Sequence, residues 1–237
     1  VDYNVDTVLS YDEEKVKEFA NSVNDQVKVD AVDAKISISG SNVSITPEVT
    51  GKHIDIEDLC NKIKESIDPD PEKIETVSLD LQDYSPSITS AELSKITGVM
   101  SSYSSTFGTS DTGRVENLRI STGYINGTLL MPGEEFSYNN TIGPTTPERG
   151  YKEANTYVGS KIVPGYGGGV CQVSSALYRA VIQANIRSTE RRNHSMTVGY
   201  AKPGLDATVA AGYIDYKFVN TYDFPIYIQG YLSGNNV

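Results

Sequence analysis

The feature that most constrains the fold of this chain is a run of three glycines, Gly167–Gly169, that ends two residues before Cys171. Apolar side chains follow at helical spacing, at Val173, Leu177 and Val181. Glycine tolerates positive φ and lets another backbone or a ligand approach closely. The pattern therefore predicts a sharp turn that leads directly into a helix, with Cys171 at or near the helix N-terminus.

A cysteine at the N-terminus of a helix ionises more easily than an ordinary thiol. The first turn of a helix carries unpaired backbone N–H groups and the positive end of the helix dipole, and both favour a thiolate. Such placements lower a cysteine pKa from about 8.5 to roughly 3.5–7.5. The same N–H groups can bind the oxyanion of a tetrahedral intermediate. Cys171 is thus a candidate nucleophile; the alternative is a small buried residue beside glycines that serve tight packing.

His194 is the candidate partner of this thiol, because a thiolate nucleophile usually works with a histidine. The sequence contains two histidines, His53 and His194, and His194 follows the predicted helix. It could equally be a hydrogen-bonded residue at a strand end. Asp206 is a candidate third group that orients the imidazole, and it also fits a turn residue in the stretch Pro203–Asp206.

The charge of the chain is divided unevenly along its length. Residues 1–90 hold 8 Lys and 20 Asp+Glu, a net of −12, whereas residues 91–237 hold 12 Lys+Arg and 11 Asp+Glu, a net of +1. This division favours two domains, and the acidic first half argues against nucleic acid or an anionic membrane as its partner. Every arginine lies in the second part. These arginines could serve a carboxylate-bearing ligand, because a guanidinium binds a carboxylate through two hydrogen bonds.

Two helices are predicted in the first domain. Ser10 and Glu13 have the spacing of a capping box before an amphipathic stretch. Asp55 is placed to cap a second helix, whose apolar stripe includes Leu59 and Ile63.

Three strands accompany these helices. Lys35–Ser39 and Asn42–Thr46 alternate in polarity around Gly40-Ser41, which predicts a β-hairpin, and Gly51 ends that unit. Alternation over residues 77–81 predicts a further strand. The order is α-β-β-α-β, a small α+β module.

The whole chain is therefore expected to be an α+β protein of two domains. The module occupies residues 1–84, a linker rich in Ser and Thr occupies 85–97, and a larger domain occupies 98–237. That larger domain should be mixed and strand-rich, with one central helix over Gln172–Ile186. No apolar run approaches the roughly 18 residues that a membrane span requires.

The cysteine count indicates neither a disulfide scaffold nor a metal site. Cys60 and Cys171 are the two cysteines and fall in different predicted domains. Cys60 lies beside the helical stripe and is expected to be a core residue. A zinc site would have to draw ligands from both domains, so we expect no metal and no cofactor.

Seven segments of the second domain form a recognisable set: Arg114–Leu118, Asn126-Gly127, Pro132–Ser137, Gly150-Tyr151, Gly167–Ser174, Arg191–Ser195 and Gly204–Thr208. Through these segments the second domain resembles the VanW family of bacterial envelope proteins. Through Ile45–Glu48, Gly51 and Ile54-Asp55, the first domain resembles the peptidoglycan-binding module often found before VanW domains.

This resemblance implies a function and a location. Some VanW members are regarded as peptidoglycan L,D-transpeptidases that form 3-3 cross-links through a cysteine, which would make Cys171 the acylated residue and His194 its partner. Peptidoglycan stem peptides would be the substrate, at the extracellular envelope of a Gram-positive bacterium, with room for a membrane anchor before Val1. The family takes its name from glycopeptide-resistance gene clusters. Substrate contacts implied by the matching motifs are Gly168, Gly169, Gln172, Ser174 and Tyr151. The free carboxylates of stem peptides imply a binding role for Arg149, Arg191 or Arg192.

Two other functions fit the same residues. A cysteine peptidase or amidase would hydrolyse stem peptides with the same nucleophile, and a non-catalytic wall-binding protein would carry Cys171 as an inert residue. In the familiar YkuD-type L,D-transpeptidases the histidine precedes the cysteine, whereas here the cysteine comes first. The resemblance is accordingly to VanW and not to that fold.

Overall fold

The computed structural model describes residues 10–40, 42–67, 76–109, 111–158 and 161–237. The chain divides into two compact units, and each mixes helices with short strands, so the expected α+β class is confirmed. One unit holds the described residues up to Ile36 and Ser44–Leu93, and the other holds Ser37–Val43 and Ser94–Val237. The linker and domain limits expected from the sequence stay predictions.

Three helices and four strands lie among the described residues that precede Ser94. Strand β1 pairs with β2, and β3 pairs antiparallel with β4. The β1–β2 hairpin is confirmed; of its expected Gly40-Ser41 turn, Ser41 lies outside the described residues. The elements are α1 Glu13–Val27, β1 Lys35–Ser39, β2 Asn42–Thr46, β3 Gly51–Ile54, α2 Ile56–Ser66, β4 Leu81–Tyr84 and α3 Ser90–Leu93.

The caps of α1 and α2 are both aspartates. Asp12 caps α1, where its carboxylate accepts hydrogen bonds from two backbone N–H groups at 3.0 and 3.2 Å. The predicted capping box at Ser10 and Glu13 was therefore wrong: the helix starts at Glu13 itself, and the neighbouring carboxylate takes the cap. Asp55 caps α2 as expected, with two such bonds of 3.0 Å.

The order of helices and strands along the chain differs from the predicted α-β-β-α-β, because Gly51 does not end the hairpin unit. It opens β3, opposite Tyr84 of β4. The Tyr84 ring approaches so closely that a side chain at position 51 would collide with it. The predicted strand over residues 77–81 was misplaced, since Val77 and Leu79 precede β4, which begins at Leu81.

The C-terminal unit is built around two long helices. Strands β6, β10 and β9 form an antiparallel sheet with β10 in the centre, β5 pairs with β11, and β7 pairs with β8. A short 3₁₀ turn occupies Pro147–Arg149. The elements are α4 Thr112–Ile125, β5 Thr128–Leu130, β6 Glu135–Ser137, α5 Tyr138–Ile142, β7 Glu153–Val158, β8 Lys161–Tyr166, α6 Val170–Gln183, β9 Ser188–Glu190, β10 Lys217–Val219 and β11 Ile226–Ile228.

Helix α6 is the central helix expected from the sequence, and α4 packs against it. The core that they share includes Leu118 and Ile125 from α4 and Val173 from α6. Phe136 and Phe218 stack on one another across the β6–β10 pair, with ring centroids 5.1 Å apart. Within the described part of the chain, no helix has both the length and the apolar character that crossing a bilayer would require.

Candidate functional site

The glycine run forms the turn into α6 that the sequence predicts. Gly169 is the N-cap with φ of 114°, a value that residues with side chains rarely adopt. Gly168 lies against the β7 backbone, where a Cβ would stand 2.7 Å from the Asn155 carbonyl oxygen. Helix α6 begins at Val170, so Cys171 is the second residue of its first turn and is half-buried.

A buried asparagine holds this turn in place. Asn117 of α4 is fully buried, and its amide donates to the carbonyl oxygens of Gly168 at 3.0 Å and Lys152 at 2.9 Å. Its own oxygen accepts from the Lys152 N–H at 2.7 Å. Because all three bonds are made by one rigid side chain, the glycine turn is tied to α4 and to the start of β7.

The thiol of Cys171 faces a second segment of the chain. Its Sγ lies 3.5 Å from the Val209 carbonyl oxygen and 3.8 Å from the Thr208 hydroxyl oxygen. This segment directly follows Asp206, which carries the candidate orienting carboxylate. The first turn of α6 and the Asp206 segment therefore lie side by side.

His194 and Asp206 form a close buried pair. Asp206 Oδ2 lies 2.6 Å from Nδ1 of the imidazole and also accepts from the His194 backbone N–H at 2.7 Å. The two bonds fix both the orientation of the ring and the position of its proton on Nδ1, so that Nε2 is the nitrogen left to face other groups. The structure thus brings Asp206 to the imidazole, which is the placement that the orienting role requires.

The pKa values of Cys171, His194 and Asp206 are each shifted in the direction that favours the charged form. Burial raises the pKa of the Cys171 thiol, but hydrogen bonds to His194, Val209 and Thr208, together with the charge of His194, outweigh this and hold that pKa below its ordinary value. Burial lowers the pKa of His194, yet hydrogen bonds with Cys171 and Asp206 raise it overall. Burial likewise raises the pKa of Asp206, and the His194 backbone and ring N–H groups bring it below its usual range. These directions favour a thiolate–imidazolium pair beside an ionised carboxylate.

Two residues beside this array were not singled out from the sequence. The Tyr200 hydroxyl lies 3.3 Å from His194 Nε2, and burial raises the pKa of Tyr200 so that the phenol stays neutral. The guanidinium of Arg114 lies over the Tyr200 ring, 5.9 Å from its centroid. Arg114 belongs to the segment Arg114–Leu118 quoted above, and Tyr200 follows the segment Arg191–Ser195, but nothing in a linear sequence shows that these parts of the chain meet.

Three of the expected substrate contacts are interior residues. Gln172 and Tyr151 are each 1% exposed, and Ser174 is fully buried. The Ser174 hydroxyl donates to the Ala207 carbonyl oxygen at 2.6 Å. Gly168 and Gly169 lie in the turn before the thiol, as described above. A role of these five residues in substrate binding stays a prediction.

The three expected carboxylate-binding arginines are placed differently from one another. Arg149 donates to the Ile142 carbonyl oxygen at 2.7 Å and lies over the Tyr124 ring. Arg191 donates to the carbonyl oxygens of Asp206 and Gly204, both at 2.7 Å, so it braces the loop that carries the carboxylate. Arg192 is exposed. Their part in substrate binding also stays a prediction.

A thiol in the first turn of a helix, an imidazole beside it and a carboxylate behind the imidazole are groups with which a cysteine can act as a nucleophile. The profile described as "VanW like protein" matches residues 113–237, and this chain belongs to that family. A second profile, described as "Putative peptidoglycan binding domain", matches residues 2–75. The two matches together indicate a cell-wall-related function and association with the cell wall.

Two curated proteins are similar to this chain. One is "Uncharacterized protein YoaR" of Bacillus subtilis (strain 168), which is 36% identical over 168 residues, or 70% of this chain and 54% of that protein. Another is "Vancomycin B-type resistance protein VanW" of Enterococcus faecalis (strain ATCC 700802 / V583), which is 30% identical over 116 residues, or 46% of this chain and 42% of that protein. The chain spans about half the length of the curated relatives it matches. No solved structure matches it.

Proposed function

We propose that this protein is a peptidoglycan L,D-transpeptidase that uses Cys171 as its nucleophile. The observation that carries the proposal is the buried Asp206–His194 pair, joined at 2.6 Å, next to a half-buried thiol whose pKa is held low. The family and the peptidoglycan-binding match support a cell-wall substrate.

The first half of the reaction forms an acyl-enzyme. The Cys171 thiolate attacks the carbonyl between the third and fourth residues of a stem tetrapeptide. The oxyanion is received by the backbone N–H of Cys171, since those of Val170 and Gln172 already donate to the Gly167 and Gly169 carbonyl oxygens; one such donor typically contributes roughly 10²–10³ in rate. The His194 imidazolium then gives its proton to the nitrogen of the departing D-alanine. The peptide bond breaks, and a thioester remains on Cys171.

The second half transfers the acyl group to an amine. The side-chain amine of a second stem peptide attacks the thioester carbonyl, and neutral His194 accepts the proton from that amine. A new amide bond replaces the thioester, and the thiolate–imidazolium pair is restored. The product is a 3-3 cross-link between two stems.

The proposal includes a location, namely the extracellular envelope of a Gram-positive bacterium, with an anchor upstream of this chain.

Mass spectrometry of muropeptides tests the proposal directly. The protein is incubated with tetrapeptide-containing muropeptides, and we expect dimers that have lost D-alanine, together with a thioester adduct that maps to Cys171. Changing Cys171 to Ala, or His194 to Ala, should abolish the dimers while the fold is kept. The Cys60→Ala variant is the matched control and should remain active.

Other outcomes would point to the alternatives. Shortened monomers without dimers would indicate a hydrolase, in which water rather than an amine meets the acyl-enzyme. Unchanged muropeptides, together with a Cys171 that reacts with iodoacetamide no faster than a model thiol between pH 5 and 9, would leave a non-catalytic wall-binding protein.

A further inference from the structure

We infer that Arg114 recognises the C-terminal carboxylate of the donor stem peptide, and this inference rests on the function proposed above. Arg114 is a specificity-determining residue in this interpretation and takes no part in proton transfer. It would make the enzyme select donors whose fourth residue ends in a free carboxylate.

The position of the guanidinium supports this role. A Cβ built on Gly169 would lie 3.1 Å from both Cγ and Nη1 of Arg114, so the arginine side chain lies against the glycine that precedes the first turn of α6. The guanidinium also lies over the ring of Tyr200, whose hydroxyl is 3.3 Å from His194 Nε2. Arg114 therefore contacts the surroundings of both the thiol and the imidazole.

The guanidinium is held in a fixed orientation by a buried amide. Nη2 of Arg114 donates to Oε1 of Gln172 at 2.5 Å. Gln172 is 1% exposed, and its own amide nitrogen donates at 2.9 Å both to the Ser105 hydroxyl and to the Thr106 carbonyl oxygen. Because Gln172 has its donors occupied in this way, its oxygen is the atom that anchors Arg114. A guanidinium that is already oriented loses little entropy when a ligand binds.

The charge of Arg114 lacks an anionic partner in the part of the chain that the structure describes, whereas two other arginines have one. Arg119, on the same helix, pairs with Glu116, and Arg191 lies 3.6 Å from a carboxylate oxygen of Asp206. A guanidinium carries five N–H donors in a planar fork, which matches the two oxygens of a carboxylate. A half-buried guanidinium beside the reacting groups is thus suited to bind a carboxylate from the substrate.

The dimensions of the donor peptide identify which carboxylate this is. The carboxylate of the fourth residue lies only one residue beyond the scissile bond, a span of about 3.8 Å between consecutive Cα atoms. Arg114 lies against Gly169, which precedes Cys171 by two residues, so the guanidinium lies beside the turn that carries the thiol. In a donor extended by a fifth residue, an uncharged peptide bond would lie at the guanidinium in place of the carboxylate.

Paired peptides test this inference through binding as well as turnover. One probe is a stem tetrapeptide that ends in D-alanine, and the other is the same peptide with a C-terminal carboxamide; the internal carboxylates are identical in both. Calorimetry with the Cys171→Ala protein gives affinities without turnover. We expect the free acid to bind about 10- to 100-fold more tightly than the amide, since hydrogen bonds to charged groups carry energies of that size. Arg114→Gln should reduce this ratio to about one.

Arg119→Gln is the matched control, because it removes an exposed arginine from the same helix, and it should leave the ratio unchanged. The kcat/KM ratio of the active protein should show the same discrimination. Equal binding of acid and amide by the Cys171→Ala protein would overturn the inference, and this comparison stands even where Arg114→Gln does not fold. If Arg114→Gln lost affinity equally for both peptides, Arg114 would bind an internal carboxylate of the peptide, and the inference would again be overturned. Discrimination in binding without any turnover would instead refute the transpeptidase and leave the recognition of a carboxylate intact.

Discussion

Changing Asp206 to Asn tests the charge arrangement on which the proposed chemistry depends. Asp206 Oδ2 accepts from both the backbone N–H and Nδ1 of His194, at 2.7 and 2.6 Å. In the variant, the asparagine oxygen can accept the backbone N–H while its NH₂ group faces Nδ1. The imidazole then has to be neutral with its proton on Nε2, a form that cannot take the proton of a thiol. The same loss of the productive tautomer is the known effect of replacing the aspartate of a serine-protease triad.

The size of the effect follows from the hydrogen bond that is lost. A hydrogen bond to a charged group contributes about 1.5–3 kcal/mol, and each 1.36 kcal/mol corresponds to about tenfold in an equilibrium. The thiolate–imidazolium pair should therefore be about 10- to 100-fold less populated in the variant. Both side chains are nearly inaccessible, at 4% exposed for His194 and 6% for Asp206, so solvent screening does little to weaken this effect.

The assay is the rate of Cys171 alkylation by iodoacetamide from pH 5 to 9. In the wild type the pKa of Cys171 is lowered and that of His194 is raised, and both shifts favour the ion pair, so alkylation should extend below the ordinary thiol range. In Asp206→Asn the rate at neutral and acidic pH should fall about 10- to 100-fold, and the two curves should meet above the ordinary thiol pKa of about 8.5.

The Asp215→Asn variant is a control that separates the loss of a charge beside the imidazole from a loss of fold stability. Asp215 is another buried carboxylate, which accepts from the backbone N–H groups of Asn139 at 2.9 Å and Tyr216 at 2.7 Å. Asp215→Asn should destabilise the fold without changing the pH profile of Cys171. If Asp206→Asn alkylates with the wild-type profile, the low thiol pKa does not depend on this carboxylate, and the reasoning is refuted.

Two further predictions concern the glycine turn. Asn117→Ala leaves the buried Gly168 carbonyl and the Lys152 N–H without their partner, so it should cost roughly 2–4 kcal/mol in urea unfolding; an unchanged midpoint would contradict this. Gly169→Ala forces a side chain into φ of 114° and should cost about 1–3 kcal/mol, whereas Gly199→Ala, which has open space around it, should change stability by less than about 0.5 kcal/mol. Equal costs at the two positions would argue against strain at Gly169.

The elements that the sequence predicted well are those whose signal is local. The glycine run before an apolar stripe predicts α6, and the alternation of Lys35–Ser39 and Asn42–Thr46 predicts a hairpin, because each pattern follows the period of its own element. Asp55 was predicted as a cap for the same reason. Helix α4 was not, since its buried face includes Asn117 and Ser121 and therefore shows no apolar stripe.

The site could be predicted in part because its chemistry needs rare residue types. Cys171 was identified from the glycine run before the predicted helix, and His194 because it is the single histidine of the second domain. Arginine carries no such signal, since all seven lie in that domain, and the choice of Arg149 and Arg191 over Arg114 had no spatial basis. Arg114 reaches the site through Gln172, which is 58 positions away along the chain, and only folding brings the two together.

Ser174 and Ser175 show why the motif around a nucleophile does not by itself identify the residues that touch substrate. Ser175 donates to the Cys171 carbonyl oxygen at 2.7 Å and accepts from the Ala207 N–H at 2.9 Å, while Ser174 donates to the Ala207 carbonyl oxygen at 2.6 Å. These bonds join the helix that carries the thiol to the residue next to Asp206. Buried polar networks of this kind rigidify the groups that they connect. The sulfur and the carboxylate are therefore held in register before any ligand binds, and a serine in the motif can matter to catalysis without meeting the substrate.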